Sequence, residues 1–398
     1  MPQRTQTKKG IFLAWWLILV LVGCQTETTV PTFTSLSTES IPTATPQPPA
    51  TNHQPLATSP LFMRGVDVSI LPMMEQCNGR FTQNGSEVES LAFMTAQGVN
   101  FVRLRVWVNP ADGASGLDEV LGVAQRAKAH DLGLMIDFHY SDTWADPGNQ
   151  TKPAAWADLT FAELQTAVTN HTRTVISALH AQGTPPDVIQ LGNEITNGFL
   201  WPDGRLGAGY EDNWPQFAAL LNVAQAGVAQ SFPGADQIPI MIHIDSGGDL
   251  GRSRWFFDNL TAQSVPFDQI GLSFYSWWHG NFLDLQQNMA GLASRYGKPI
   301  VVVETAYPWT LAWADDVHNP VGEEGQLLTG YPATKRGQAA FVADVRTAVT
   351  QVPQNLGAGF FYWAPDYITT PDCGSLWENL ALFDFAGEAL PAWQAFAP

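Results

Sequence analysis

Between residues 61 and 398 eight short apolar runs alternate with amphipathic stretches, and this alternation restricts the fold more than any other feature. The runs cover 63–68, 101–106, 133–138, 188–192, 239–244, 269–274, 299–303 and 357–363. They are β-rich and almost continuously apolar, as parallel strands buried on both faces are. Helical patterns at 87–97, 117–129, 161–181, 214–231, 283–296 and 336–349 fall between them, and the helix of the 258–269 connection is the least defined. Gly and Pro mark the turns before six strands, for instance at Gln97-Gly98 and Tyr296-Gly297-Lys298-Pro299. Eight such units in about 340 residues predict an α/β chain folded as a single (β/α)8 TIM barrel, the domain running from 61 to 398. The rival is a doubly wound open sheet. No Gly-rich phosphate loop follows the first run, where a dinucleotide-binding unit carries one.

The first sixty residues lie outside the pattern. Arg4, Lys8 and Lys9 precede a twelve-residue apolar run, 11–22, which is too short to span a membrane as a mature helix. It ends Leu21-Val22-Gly23-Cys24, which resembles a bacterial lipoprotein signal whose Cys is lipidated and becomes the new N-terminus. An ordinary secretory peptide with an incidental Cys24 is the other reading. Residues 1–23 are thus expected to be a signal peptide. Residues 24–60 are expected to be a disordered tether, because Thr, Pro and Ser dominate and large apolar side chains are few. As a coil it would reach about 35 Å. With no later run of 18 apolar residues, the remainder is expected to be exported and globular, meeting a membrane only through the lipid at Cys24.

The charge narrows the partners. Lys+Arg 19 against Asp+Glu 37 gives −18, and removing the three cations of the signal takes it to −21. No basic footprint is available for a phosphate backbone, so nucleic acid is excluded and polyanions are disfavoured. The 15 Trp fill a core or offer flat platforms to sugar rings, and composition alone does not choose. In a barrel the chemistry sits at the C-terminal strand ends. Those ends read Asp67; Arg103 and Arg105 running into Trp107; Asp137-Phe138-His139-Tyr140; Gly192-Asn193-Glu194; His243-Ile244-Asp245; Tyr275-Ser276-Trp277-Trp278-His279; Glu304; and Trp363.

Glu194 follows an Asn on the fourth strand, and Glu304 directly follows the seventh. Two carboxyls that converge over a barrel mouth suit glycosidic bond hydrolysis, one protonating the leaving oxygen and one attacking or activating water. This pair resembles that of the clan A glycoside hydrolases. More narrowly, Gly65-Val66-Asp67-Val68-Ser69, the block from Gly98 to Pro110, the block from Asp137 to Pro147, Ile189–Ile195, Leu200–Arg205 and Phe360-Phe361-Tyr362-Trp363 resemble the endo-β-1,4-galactanases of glycoside hydrolase family 53. The resemblance spans essentially 61–398. It implies a retaining galactanase that acts on galactan or type I arabinogalactan, with Glu194 as acid/base and Glu304 as nucleophile. It further implies that Asn193 holds the sugar 2-hydroxyl, that Arg103 keeps the nucleophile ionised and that Tyr275 hydrogen-bonds Glu304. Trp363 would stack beneath the sugar, while His139, Asp245 and His279 bind its hydroxyls. For Arg105 a barrel salt bridge and a site role stand level, as do subsite and loop packing for Trp107, Trp144 and Trp201. His243 reads as a buried structural histidine.

No HExxH, CxxC pair or EF-hand spacing is present, so no cofactor is expected for catalysis. The resemblance raises a structural Ca²⁺ in the loop after strand 7, where Asp315, His318 and Asn319 offer donors; a plain acidic loop is the alternative. The family more often has Pro after the strand 6 Tyr, where this chain has Ser276. Of three cysteines, setting aside Cys24 leaves Cys77 and Cys373, in loops after the first and last strands, expected to pair in an oxidising compartment. The protein is expected to act as a monomer. The competing functions are another clan A endoglycanase, a mannanase or xylanase, which the strand 2 and strand 3 blocks do not fit. A non-catalytic glycan-binding lipoprotein is the other, and the retained Glu194, Glu304, Arg103 and Tyr275 weigh against it.

Overall fold

The computed structural model describes residues 62–398; the signal segment, Cys24 and the tether lie outside the described residues. Eight parallel strands, β1 (Met63–Asp67), β2 (Phe101–Val106), β3 (Gly133–Phe138), β4 (Val188–Leu191), β5 (Ile240–Ile244), β6 (Gln269–Phe274), β7 (Ile300–Thr305) and β8 (Gly357–Trp363), close into a barrel. The ring closes because β1 pairs with β2 on one side and β8 on the other. Helices cover its outer face. The longest, Phe161–Ala181, begins at a Thr160/Glu163 capping box and presents Leu164, Val168, Thr172, Val175, Ile176 and Leu179 as one buried stripe.

The sequence places most elements within a few residues, with two departures. Residues 87–89 do not start a helix: Ser86–Glu87 pairs with Thr82–Gln83, and the helix Ser90–Ala96 begins where the Glu89 carboxylate accepts from the Ala92 N–H at 2.6 Å. The weakly patterned 258–269 connection holds only the end of a helix that spans Leu250–Ala262. That helix starts where Asp249 caps the Arg252 N–H at 2.9 Å, and its first turns are polar, which masks the period.

The barrel interior explains how a hydrophobic fold carries a polar site. A small inner cluster joins Met63, Phe101, Met135, Val188, Met241, Val301, Val303, Ala358 and Phe361. Two strands contribute space instead: a Cβ on Gly65 would lie 2.2 Å from the Phe361 ring, and one on Gly271 would lie 2.8 Å from Met241 Sδ. Side chains on a strand return to the same face every second residue. One step further along, the inward positions are therefore Asp67 after Gly65, Arg103 after Phe101, Asp137 after Met135, Gln190 after Val188, His243 after Met241 and Ser273 after Gly271. All six are buried.

Glu304 breaks that count. Val301 and Val303 both point inward, so simple alternation sends residue 304 outward to the helices. The β6–β7 register slips between Leu272 and Ser273, pairing Leu272 with Val302 but Ser273 with Glu304. One extra residue on β7 turns Glu304 back into the mouth.

Cys77 and Cys373 are joined, with Cα atoms 5.8 Å apart and a sequence separation of 296. The bridge ties the loop after β1 to the loop after β8. Closing so long a loop stabilises by about 2–5 kcal/mol. Under reductant, or in Cys77→Ser, thermal unfolding is expected several degrees lower by calorimetry; an unchanged transition would contradict this role.

Candidate active site

The site is built around one guanidinium. Arg103 is 1% exposed, and its five N–H groups meet five acceptors. Nε donates to Gln190 Oε1 at 3.1 Å; Nη1 donates to Asp67 Oδ2 and pairs with Glu304 Oε1, both at 2.8 Å; Nη2 donates to Asp137 Oδ2 and Asn193 Oδ1, both at 2.8 Å. Burial by itself disfavours the charge of the arginine. The carboxylates of Asp137, Glu304 and Asp67 overrule it and hold the group charged. Asp137 answers in kind: burial disfavours its charge, but Arg103 and then His139 win, and its pKa lies below the usual value.

Glu194 arrives by a different route. After β4 the backbone turns through positive φ at Gly192 (84°) and again at Glu194 (48°). A Cβ at Gly192 would sit 2.5 Å from Ile195 Cγ2, so this turn needs glycine. The double turn puts Asn193 and Glu194 on the rim of the same cleft as Glu304. Asn193 is held at both ends, its oxygen by Arg103 and one amide N–H by Ala145 O at 2.8 Å, which leaves one N–H for a ligand.

The two carboxyls differ in their donors. Glu304 has Arg103 on Oε1 and the Tyr275 hydroxyl donating to Oε2 at 2.9 Å. Among the described residues Glu194 has only the Ser273 hydroxyl, donating to Oε1 at 2.5 Å. Burial pushes the Glu304 carboxyl up to about 7, against the pull of Arg103. Burial pushes Glu194 well above the usual carboxylate range, and the charge of Glu304 adds to the push. Because the cation sits at Glu304, that group ionises first and its charge keeps the proton on Glu194.

The remaining residues sort by geometry. His139 donates from Nε2 to Asp137 Oδ2 at 3.0 Å, because its Nδ1 accepts from the Ala145 N–H and the Trp107 indole N–H. An accepting Nδ1 means a neutral ring, and burial lowers its pKa in the same sense. His279 lines the cleft with Nδ1 accepting from the Tyr275 N–H at 3.0 Å, and burial takes its pKa down to about 4. Asp245 lines the cleft while accepting from the Thr196 hydroxyl. Trp363 faces the cleft, its ring 4.6 Å from Trp377 and 5.8 Å from Trp144.

The open choices also resolve. Arg105 has no direct ion pair among the described residues; it donates to Ser115 Oγ and lies 3.9 Å above the Trp144 ring. Trp144, 40% exposed, lines the cleft, whereas buried Trp107 packs behind it. Trp201 stacks under Arg205 in its own loop. Sequence reasoning missed Gln190, which joins Arg103, Asp137 and His243; it placed Asp67 and Asp137 at the strand ends without a role and left Ser273 out. Their inward period on apolar strands was the available signal. Two of the three donors proposed for a cation share a neighbour, because the Thr369 hydroxyl meets both Asp315 and Glu378 and Asn319 lies beside Glu378. Asp315 also accepts from the Ser375 N–H, and His318 packs on the Trp313 ring at 5.1 Å. Among the described residues no group of three His, Cys, Asp or Glu is placed to hold a metal.

A closed (β/α)8 barrel with two glutamates in unlike surroundings facing one cleft of about 790 Å³ is the architecture of a glycoside hydrolase. The chain belongs to glycosyl hydrolase family 53, whose family model matches residues 63–396. It is 36% identical over 343 residues to an arabinogalactan endo-β-1,4-galactanase of Thermothelomyces thermophilus, covering 84% of this chain and 99% of the relative. It is 44% identical over 340 residues to an uncharacterised protein of Niallia circulans, covering 84% and 93% respectively. The GH53 catalytic domain of Ignisphaera aggregans superposes with a TM-score of 0.79 at 40% identity, covering 84% of this chain and 95% of that one.

Removing the central cation tests the site's electrostatics. Arg103→Gln leaves three buried carboxylates unpaired, which is expected to destabilise the fold by about 3–5 kcal/mol in denaturant titration. A loss below 1 kcal/mol would contradict the arrangement.

Proposed function

We propose that the protein is an endo-β-1,4-galactanase that cleaves galactan and type I arabinogalactan with retention of configuration, exported and held at the cell envelope by a lipid on Cys24. The observation that carries the reading is the asymmetric pair, Glu304 bonded to Arg103 and Tyr275, Glu194 bonded to neither. Family membership and the galactanase relatives supply the substrate class. In the first step Glu194 gives its proton to the glycosidic oxygen, which takes the bonding electron pair, while the Glu304 carboxylate bonds to the anomeric carbon. In the second step Glu194, now a carboxylate, removes a proton from water. The hydroxide oxygen bonds to the anomeric carbon and the Glu304 ester bond breaks, returning its electron pair to Glu304. The free N–H of Asn193 donates to the 2-hydroxyl, and Trp144 and Trp363 offer ring faces to the sugar. The cleft is lined by eight carboxyls and three guanidiniums, which favours a neutral hexan over a uronate chain.

The protein is expected to release reducing ends from galactan and far fewer from mannan, xylan or polygalacturonate, with the β-anomer formed first by NMR. Glu194→Gln and Glu304→Gln are each expected to lower galactan turnover by at least about a thousandfold. Activity should rise with pH as Glu304 ionises and fall again as Glu194 loses its proton, so the acid limb lies above the ordinary carboxylate range. Preferred cleavage of mannan or xylan, first formation of the inverted anomer, or near-full activity in either variant would overturn the reading.

A further inference from the structure

A histidine and a serine that neither the family match nor the sequence reading assigns to the chemistry form a continuous wire to Glu194. His243 on β5 and Ser273 on β6 are both fully buried. The backbone N–H of Glu194 points at His243 Nδ1 at 3.3 Å, and a backbone amide can only donate. The Gln190 amide nitrogen lies 3.1 Å from the same ring nitrogen. Asn193 Oδ1 is also 3.0 Å from it, but that oxygen already accepts from Arg103. Nδ1 is therefore the acceptor and the ring proton sits on Nε2. Nε2 lies 2.8 Å from Ser273 Oγ, so it donates there, and the single hydroxyl proton of Ser273 is directed at Glu194 Oε1, 2.5 Å away.

The direction of this wire has a chemical consequence. An oxygen that accepts from Ser273 is the poorer place for the acid proton, because the hydroxyl oxygen of a carboxylic acid is a weaker acceptor than its carbonyl oxygen. We propose that His243 and Ser273 are positioning residues that reserve Glu194 Oε1 as an acceptor, place the acid proton on Oε2, and stabilise the carboxylate left after proton donation. The proposal rests on Glu194 being the acid/base. No proton leaves the wire: both residues keep theirs while Glu194 cycles between acid and base. His243 suits the part because it stays neutral, its charge disfavoured by burial and by Arg103, with His139 and His279 adding to this and Asp137 opposing. Around Glu194 the other facing groups are Glu304 on β7, Asp245 after β5, Asp146 after β3 and the Tyr275 ring after β6. Glu304, Asp245 and Asp146 all favour the protonated acid, and among these neighbours Ser273 alone donates to its ionised form. The wire thus opposes an environment that would otherwise trap the proton.

The test compares pH profiles. In Ser273→Ala the carboxylate loses its one donor, so the alkaline limb of kcat/KM on galactan is expected to move up by about one unit, the scale of a hydrogen bond to a charged group. Turnover of galactan is expected to fall about tenfold. The kcat/KM for a dinitrophenyl β-galactobioside, whose leaving group needs no proton, should stay within about twofold. Ser273→Thr, which retains a hydroxyl, should bring the limb back. In wild-type protein, ¹⁵N NMR of the His243 ring should show one neutral tautomer, protonated on Nε2, from pH 5 to 8. An unmoved limb, an equal loss on both substrates, or a ring proton on Nδ1 would overturn the proposal. Glu194→Gln is measured alongside: if it still hydrolyses galactan, the acid/base assignment itself fails, whereas an inactive Glu194→Gln with an unmoved Ser273→Ala limb rejects the wire alone.

Discussion

A guanidinium sealed inside a barrel needs five acceptors, and meeting that need organises this protein. Arg103 draws Asp67, Asp137 and Glu304 to one point, and with Gln190 and Asn193 completes its set. Three carboxylates around one cation leave an excess of negative charge. That excess separates the two glutamates: the carboxyl touching the arginine is favoured to ionise first, and its charge disfavours ionisation of the one beyond it. Deleting the cation would remove the glue of the strand ends and the charge that separates the two glutamates, leaving only the Tyr275 hydroxyl to distinguish Glu304.

The fold delivers these residues through strand geometry. The pleat that places Phe101, Met135, Val188 and Met241 in the lower barrel places Arg103, Asp137, Gln190 and His243 one step above. Apolar packing at one level and polar satisfaction at the next are a single pattern. The extra residue on β7 is the deliberate exception, because without it Glu304 would face the helices. The turn at Gly192 and Glu194 is another, a backbone conformation that L residues seldom adopt. These two departures lie at the two glutamates, while others, such as the β7–β8 slip at Ile300 and the positive φ of Tyr140 and Ala364, lie elsewhere.

Much of this was legible in the sequence. The eight apolar runs and their spacing specify the barrel, since burial on both faces writes itself as continuous apolar strands. Glu194 and Glu304 stand at strand ends, where carboxyls after apolar runs are conspicuous. What stayed hidden depends on contacts across the ring. Gln190 lies within Val188–Leu191 and looks like an interruption in an apolar strand; only the closed barrel brings it against Arg103 and His243. Ser273 is equally unremarked in sequence, because a serine in a strand has no signature until its partner from β4 is known. The helix at Leu250–Ala262 was misplaced because its polar start hides its period.

The central claim is that Glu304 attacks the sugar and Glu194 serves it as acid and base. A dinitrophenyl 2-deoxy-2-fluoro-β-galactobioside, which forms the glycosyl ester faster than water can open it, tests this directly. After incubation and proteolysis, mass spectrometry should find one fluorogalactobiosyl group on the peptide containing Glu304, with loss of activity in proportion to labelling. An adduct on Glu194, or full inactivation with no covalent label, would contradict the account.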